Sequence, residues 1–300
     1  YLVVNKDAWK GRWWVGEFQL LAQPLENHKL AAGTEFIYHV RQDQVNWDEE
    51  VYLYEHRHSK NWAVYFQDEF RPFDNVILNA GVRYDHYDTF GGTTNPRFAL
   101  ICNPWTATTL KFLYGKAFRA PSAYELYYHD GYHTQKSNPD LDPETITTHE
   151  IVLEQQLGSH FRATVSNFYY HIKDLIDQQY DPADELLFFD NLEGVKVNGV
   201  ELGLAGKHPS GLQGRISYTF VDTQTDDTER ALANSPQHIA KLNLIVPLVR
   251  DKLFAGLETQ FCSERKTLSG HHADEYFLTN VTLFSVNVME GLEFSASVYN

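Results

Sequence analysis

The sequence predicts an all-β protein, an antiparallel transmembrane β-barrel of which about fourteen strands are present. Three observations lead there. Polarity alternates with a period of two along most of the 300 residues. The implied strands are mostly ~12 residues long, against ~5–6 in ordinary globular sheets, and ~9–11 tilted residues cross a bilayer. Short connections also alternate with long polar ones, which puts turns on one rim and loops on the other.

The alternation can be followed along the chain. Val76, Leu78, Ala80, Val82 and Tyr84 share one face, with Asn79, Gly81, Arg83 and Asp85 on the other. Thr108, Leu110, Phe112 and Tyr114 repeat the pattern against Thr109 and Lys111. So do Ile216, Tyr218 and Phe220 against Arg215, Ser217 and Thr219, and Leu253, Ala255, Leu257 and Phe261 against Lys252, Glu258 and Gln260. Leu292, Phe294, Ala296 and Val298 oppose Glu293, Ser295 and Ser297. A helix, with its period of 3.6, would not bury such faces.

Strands are expected near 11–23, 29–40, 60–72, 75–87, 95–103, 107–118, 145–157 and 160–178. Others are expected near 186–206, 212–224, 236–248, 252–264, 276–288 and 292–300. Short turns fall at Pro24–His28, Phe73–Asn75, Asn103–Thr106, Gly158–Ser159, His208–Gly211, Val249–Asp251 and Met289–Gly291. Longer loops are expected at Arg41–Lys60, Asp88–Asn95, Arg119–Glu144, Gln179–Glu185, Thr225–Ser235 and Glu264–Glu275. Phe168 and Tyr170 are out of phase with Phe161 and Val165, which suggests a β-bulge near Ser166. Leu186 to Phe189 is an apolar run without alternation, the mark of a hairpin arm outside the wall.

Composition narrows the classes further. Lys plus Arg total 25 against 40 Asp plus Glu, a net charge of -15, which argues against a nucleic-acid partner. No segment reaches the ~18 apolar residues of a membrane helix. The 19 Phe, 18 Tyr and 6 Trp suit a barrel with aromatic girdles. Cys102 and Cys262 are far apart and show no CxxC spacing, so neither a thiolate metal site nor a bridge between them is expected. No nucleophile elbow and no phosphate-cradling glycine loop is present, so neither an enzyme nor a resident cofactor is expected. With short turns on the periplasmic side, both chain ends lie at the loop rim. The expectation is therefore an interior slice of a larger barrel.

Two boxes carry a resemblance. The first reads Tyr114-Gly-Lys-Ala-Phe-Arg-Ala-Pro-Ser-Ala-Tyr-Glu-Leu126, and the second reads Asn138-Pro-Asp-Leu-Asp-Pro-Glu144 followed by Glu150. Together they resemble the barrel domain of TonB-dependent outer-membrane receptors. Asn95-Pro-Arg-Phe-Ala, Val197-Asn-Gly-Val-Glu-Leu and Ser235-Pro-Gln-His agree more weakly. The resemblance implies that residues 1–300 are a β-barrel fragment, roughly strands eight to twenty-one of about twenty-two, without plug or closing strand. It also implies a place in the bacterial outer membrane, lipid around the wall, and contact with the TonB complex through the missing plug. The implied function is active import of a ferric siderophore or similar metal chelate, with haem and cobalamin as alternatives. A passive diffusion porin is a further alternative, against which the two boxes argue.

The candidate binding residues follow from the loop between the boxes. Arg119 sits at the rim within reach of Glu125 or Glu144, Pro121 stops the ladder, and Ser122 to Tyr128 suits a helical turn folding inward. Tyr127, Tyr128, His129, Tyr132 and His133 offer rings and imidazoles to a planar or metal-bearing ligand. Haem receptors resembling this family carry a histidine between the same boxes, where His129 and His133 stand. His271 and His272 form a second loop pair beside Asp274 and Glu275, and His56, Arg57 and His58 a third cluster. The wall charges Arg83, Lys111, Arg162, Arg215 and Lys252, with Asp85, Glu150, Glu154, Glu201 and Glu258, are expected to hydrate or to meet the plug.

Overall fold

In the computed structural model, residues 3–226, 232–267, 270–286 and 291–300 are described. The elements are β1 (Lys6–Leu25), β2 (His28–Trp47), β3 (Val51–Phe73), β4 (Val76–Tyr87), β5 (Gly91–Trp105) and β6 (Thr108–Arg119). After β6 come α1 (Ala123–Tyr127), β7 (Glu144–Leu157), β8 (Phe161–Lys173), β9 (Leu175–Asp181), β10 (Leu186–Leu192) and β11 (Val195–Lys207). Then follow β12 (Gln213–Thr225), β13 (His238–Val249), β14 (Leu253–Cys262), β15 (Arg265–Lys266), β16 (His272–Ala273), β17 (Tyr276–Ser285) and β18 (Ser295–Val298). Fourteen strands follow one another in chain order in one sheet; β9–β10 and β15–β16 are separate two-stranded pieces. Each expected strand has its counterpart, but the runs 160–178 and 186–206 each hold two strands, because Leu175–Asp181 and Leu186–Leu192 pair with each other. The apolar run Leu186 to Phe189 is thus a hairpin arm, as its lack of alternation indicates.

The chain divides into two compact units. The first comprises Tyr1–Leu100, Tyr114–Thr148 and His171–Val195. Its β1–β4 pair antiparallel in unbroken succession. The register sets Val64 opposite Thr34 and Tyr84, Trp62 opposite Phe36, and Phe66 opposite Val82. These side chains form one face, yet Phe18 is 66% and Phe66 49% exposed. A contiguous apolar face left open to this degree needs an apolar solvent. The opposite face is polar: Arg83 Nε donates to Asp85 Oδ1 at 2.8 Å and its Nη2 to Glu35 Oε1 at 3.0 Å. Gln19 Nε2 donates to Tyr65 Oη at 3.0 Å, and that ring crosses Gly33 where a Cβ would meet it at 2.3 Å.

The second unit comprises Ile101–Leu113, His149–Tyr170 and Lys196–Asn300. Its registers align Ile216 with Leu242 and Thr259, and Leu244 with Leu257, Val281 and Val298. The alternate row reads Arg215, Asn243, Glu258, Asn280. Ser166 Oγ donates to Glu150 Oε1 at 2.8 Å, so Ser166, Phe168 and Tyr170, alternate residues of β8, share the carboxylate side. Regular alternation along β8, with no bulge near Ser166 needed, places two stacked aromatic rings on the polar face, with Phe168 over Gly199. Cys102 and Cys262 are both free thiols.

Four expectations need correction. Arg41–Lys60 is not a loop: β2 and β3 continue as a paired hairpin to Trp47 and Val51, with the turn confined to Asp48–Glu50. Asp88–Asn95 likewise shrinks to the three residues between β4 and β5. Above the bilayer both faces of a strand meet water, so hydropathy stops alternating while the hydrogen-bond ladder continues. The wall charges Arg83 and Lys111 do not wait for an outside partner; Lys111 Nζ lies 2.7 Å from Glu154 Oε1. The last expected strand is shorter, at Ser295–Val298. Met289, in the expected Met289–Gly291 turn, lies outside the described residues, as do 227–231 of the Thr225–Ser235 loop and 268–269 of the Glu264–Glu275 loop.

Candidate functional site

The site is built where β6 leaves the sheet. Pro121 has no N–H for a ladder, and β6 ends two residues earlier at Arg119. Ser122 then caps α1: its Oγ accepts from Glu125 N at 3.3 Å, and Glu125 Oε2 accepts from Ser122 N at 2.7 Å, a reciprocal capping box. Arg119 closes on both carboxylates foreseen for it. Nε donates to Glu144 Oε2 at 2.6 Å, Nη2 to Glu144 Oε1 at 2.9 Å, and Nη1 to both oxygens of Glu125 at 3.0 Å. Glu144 Oε1 also accepts from Ile176 N at 2.8 Å. One guanidinium thus joins the first box, the second box and the β9 segment.

Beneath this clamp lies a small core of Leu126, Leu141 and Ile176, with Tyr127 and Phe189 packed against it. Burial pushes the Glu125 carboxyl upward, but the Arg119 and Ser122 donors outweigh it and hold it below its ordinary value. Lys136 Nζ ties the loop to the β9–β10 hairpin, 2.6 Å from Asp181 and 2.7 Å from Asp184.

The predicted loop residues have different fates. Tyr128 is buried; its hydroxyl donates to Asp7 Oδ1 at 2.9 Å and accepts from Asn46 Nδ2 at 3.1 Å. Burial first, then the Asp7 carboxylate, hold that phenol well above its ordinary pKa. His129 stacks on Tyr132 at 4.8 Å, and His133 meets Tyr52 edge-on at 4.9 Å. Gly131 and Tyr132 are both left-handed, at φ 77° and 63°, and reverse the chain there. A Cβ on Gly131 would come within 2.8 Å of Tyr52 Cδ1. Asp130 anchors the turn, accepting from the amides of His133, Thr134 and Gln135 at 3.0 Å. Burial raises its pKa, but the Thr134 hydroxyl and these amides together bring it below the ordinary value. Arg119 therefore shapes the loop, Tyr128 fastens it, and Tyr132 and His133 stay exposed. In the second unit, His271 and His272 are exposed, and the His271 carbonyl accepts from Thr267 N at 2.7 Å. No group of three or more metal-ligating side chains occurs among the described residues.

The space beside α1 went unread in the sequence. A cavity of about 640 Å³ is lined by β2 residues His39 and Gln42, β3 residues His56 to Ser59 and Asn61, the Tyr87–Thr89 turn, and Ala120 to Ala123 with Leu126 and Tyr127. Ser59 Oγ donates to Gln42 Oε1 at 2.9 Å. The Arg57 guanidinium lies 3.8 Å from the centre of the Tyr127 ring. Of the sequence candidates only Tyr127 and the His56–His58 cluster line this space. The signal was there in Glu55, Arg57, Ser59 and Asn61, polar at every second position. The neighbouring positions are nearly as polar, so hydropathy does not separate the faces.

The fold and site can be set beside known proteins. Residues 4–300 match the family model described as TonB dependent receptor-like, beta-barrel. The iron-regulated outer membrane virulence protein of Vibrio cholerae is 24% identical over 93% of this chain and 46% of its own length. The heme/hemopexin utilization protein C of Haemophilus influenzae is 27% identical over 69% of this chain and 34% of its own. The ferric enterobactin receptor of Pseudomonas aeruginosa, a G324V mutant, superposes with a TM-score of 0.80 at 16% identity, over 97% of this chain and 48% of that one. The chain spans less than half the length of these proteins. The apolar outer face, the ion-paired inner face and the match across 4–300 lead to one conclusion: the chain belongs to the TonB-dependent receptor β-barrel family of the bacterial outer membrane.

Proposed function

We propose that the whole protein is an active-transport receptor that imports a ferric siderophore or similar metal chelate, energised through the TonB complex. Residues 1–300 are part of its barrel, and the plug that TonB pulls belongs to the rest of that protein. The observation that carries the reading is the family match over 4–300. The geometry agrees with it: a loop clamped by Arg119 roofs a cavity of about 640 Å³ lined by imidazoles, rings and one guanidinium. Ligand recognition falls to that cavity and to the exposed rings of Tyr132 and His133 in the same unit.

Uptake of radioactive iron tests this in an iron-starved strain carrying the full-length gene or its deletion. The gene should restore uptake from a ferric siderophore, and collapsing the proton-motive force should abolish it. Restoration by haem alone would replace the siderophore reading with a haem one, which a relative named for heme utilization and the histidines between the boxes favour. Uptake unchanged by the deletion for every iron source would end both.

A further inference from the structure

We propose that Arg57 is the oxyanion receptor of the cavity beside α1, so that the ligand it takes is an anionic iron complex rather than a neutral one. This rests on the transport reading above and adds the charge of the ligand.

Arg57 is bonded differently from Arg83 and Arg119 of the same unit. Arg83 and Arg119 each close on two carboxylates at ordinary hydrogen-bond distances. Arg57 has Glu55 alone, with Nη2 to Oε2 at 3.2 Å. Its Nε–H is buried and has no acceptor. A guanidinium carries five N–H donors, and a buried donor left without an acceptor is costly, the more so on a charged group. The side chain is nevertheless one-third exposed, at 35%, so its outer N–H groups remain reachable. Tyr127 covers one face of the guanidinium at 3.8 Å, which fixes its plane and leaves its edge as the binding element.

The rest of the lining does not supply the missing acceptor. Asp88 is the one carboxylate-bearing residue of the lining, and its Oδ2 accepts from Lys60 N at 2.8 Å. Gln42 Oε1 is engaged by Ser59. In a chain of net charge -15, an under-bonded guanidinium beside a cavity is a local exception to the general field of the protein. An entering oxyanion would give the reachable outer N–H groups charge-assisted hydrogen bonds, stronger than those the oxygens of a neutral complex would accept. Two sources offer that chemistry: the phenolate oxygens of a ferric catecholate and the propionates of haem.

The test measures equilibrium binding to the full-length protein in detergent. The probes are ferric tris-catecholate, a trianion, haemin, and a neutral ferric tris-hydroxamate. Wild type should prefer an anionic probe to the neutral one. Arg57→Gln should weaken the preferred anionic probe about tenfold and move the neutral one less than about twofold. Arg57→Lys should fall between, keeping the charge but losing the fork. Which anionic probe responds separates catecholate from haem.

Binding by wild type with all three affinities unchanged in Arg57→Gln would overturn the proposal and leave the transport reading standing. So would a loss shared equally by the neutral probe, which marks a structural role, or preference of wild type for the neutral chelate. Failure of wild type to bind any of the three would overturn the proposal together with the transport reading.

Discussion

Tyr128 shows how a residue chosen for a ligand can serve the scaffold instead. Its hydroxyl bridges Asp7 and Asn46, and Asn46 is fully buried. Tyr128→Phe leaves those groups short of a partner and should cost about 1–3 kcal/mol of local stability. The readout is faster hydrogen exchange at the amides of 123–135. Tyr132→Phe, at a ring more than half exposed, should change the same amides by no more than about 0.5 kcal/mol. Equal effects at both positions would contradict the division between fastening and exposed rings. Both tyrosines lie in the same aromatic stretch, and nothing local in the sequence separates them. The partners of Tyr128 stand 82 and 121 residues away.

At the scale of elements, α1 is too short to persist by propensity, since isolated helices below ~12 residues are marginal. Its cap and its packed Leu126 hold it. Ser122→Ala should therefore cost about 1 kcal/mol, seen as lost protection at Glu125 and Leu126. Acid should loosen the same loop. Glu125 and Asp130 both have depressed pKa values when folded. Their contribution is complete above the ordinary carboxylate range of ~4 and is lost as pH falls through the lower, folded values. Exchange protection of 120–143 should survive to about pH 4 and fail below it, and Glu125→Gln should flatten that dependence. The clamp itself is legible: the two boxes put Arg119 within reach of Glu125 or Glu144, and the structure joins it to both. The hairpin of β2 and β3 was legible only within the membrane. Above it Glu55 to Lys60 carry polar side chains on both faces, so a continuing strand looks like a loop.

At the scale of the whole molecule, the wall is a sheet with hydrocarbon on one side and an ion-paired surface on the other. Val82 lies at mid-strand in β4, 45% exposed and opposite Phe66. Val82→Arg should destabilise the protein by about 2–4 kcal/mol in folding titrations into lipid vesicles. Leu78→Arg, nearer the Asp74–Asn75 turn, should cost only about 0–1 kcal/mol. A neutral result at Val82 would remove the lipid-facing assignment. The sequence by itself determined the membrane part of most strands and their apolar and polar faces. These follow from period-two chemistry repeated within each strand, and the two boxes carried the family. Tertiary structure alone decided that Arg57 meets Tyr127, that Tyr128 reaches Asp7, and that β2 and β3 rise as a paired hairpin beside α1. Such contacts join segments tens of residues apart, and no periodicity within a segment encodes which distant side chain will fill a given space.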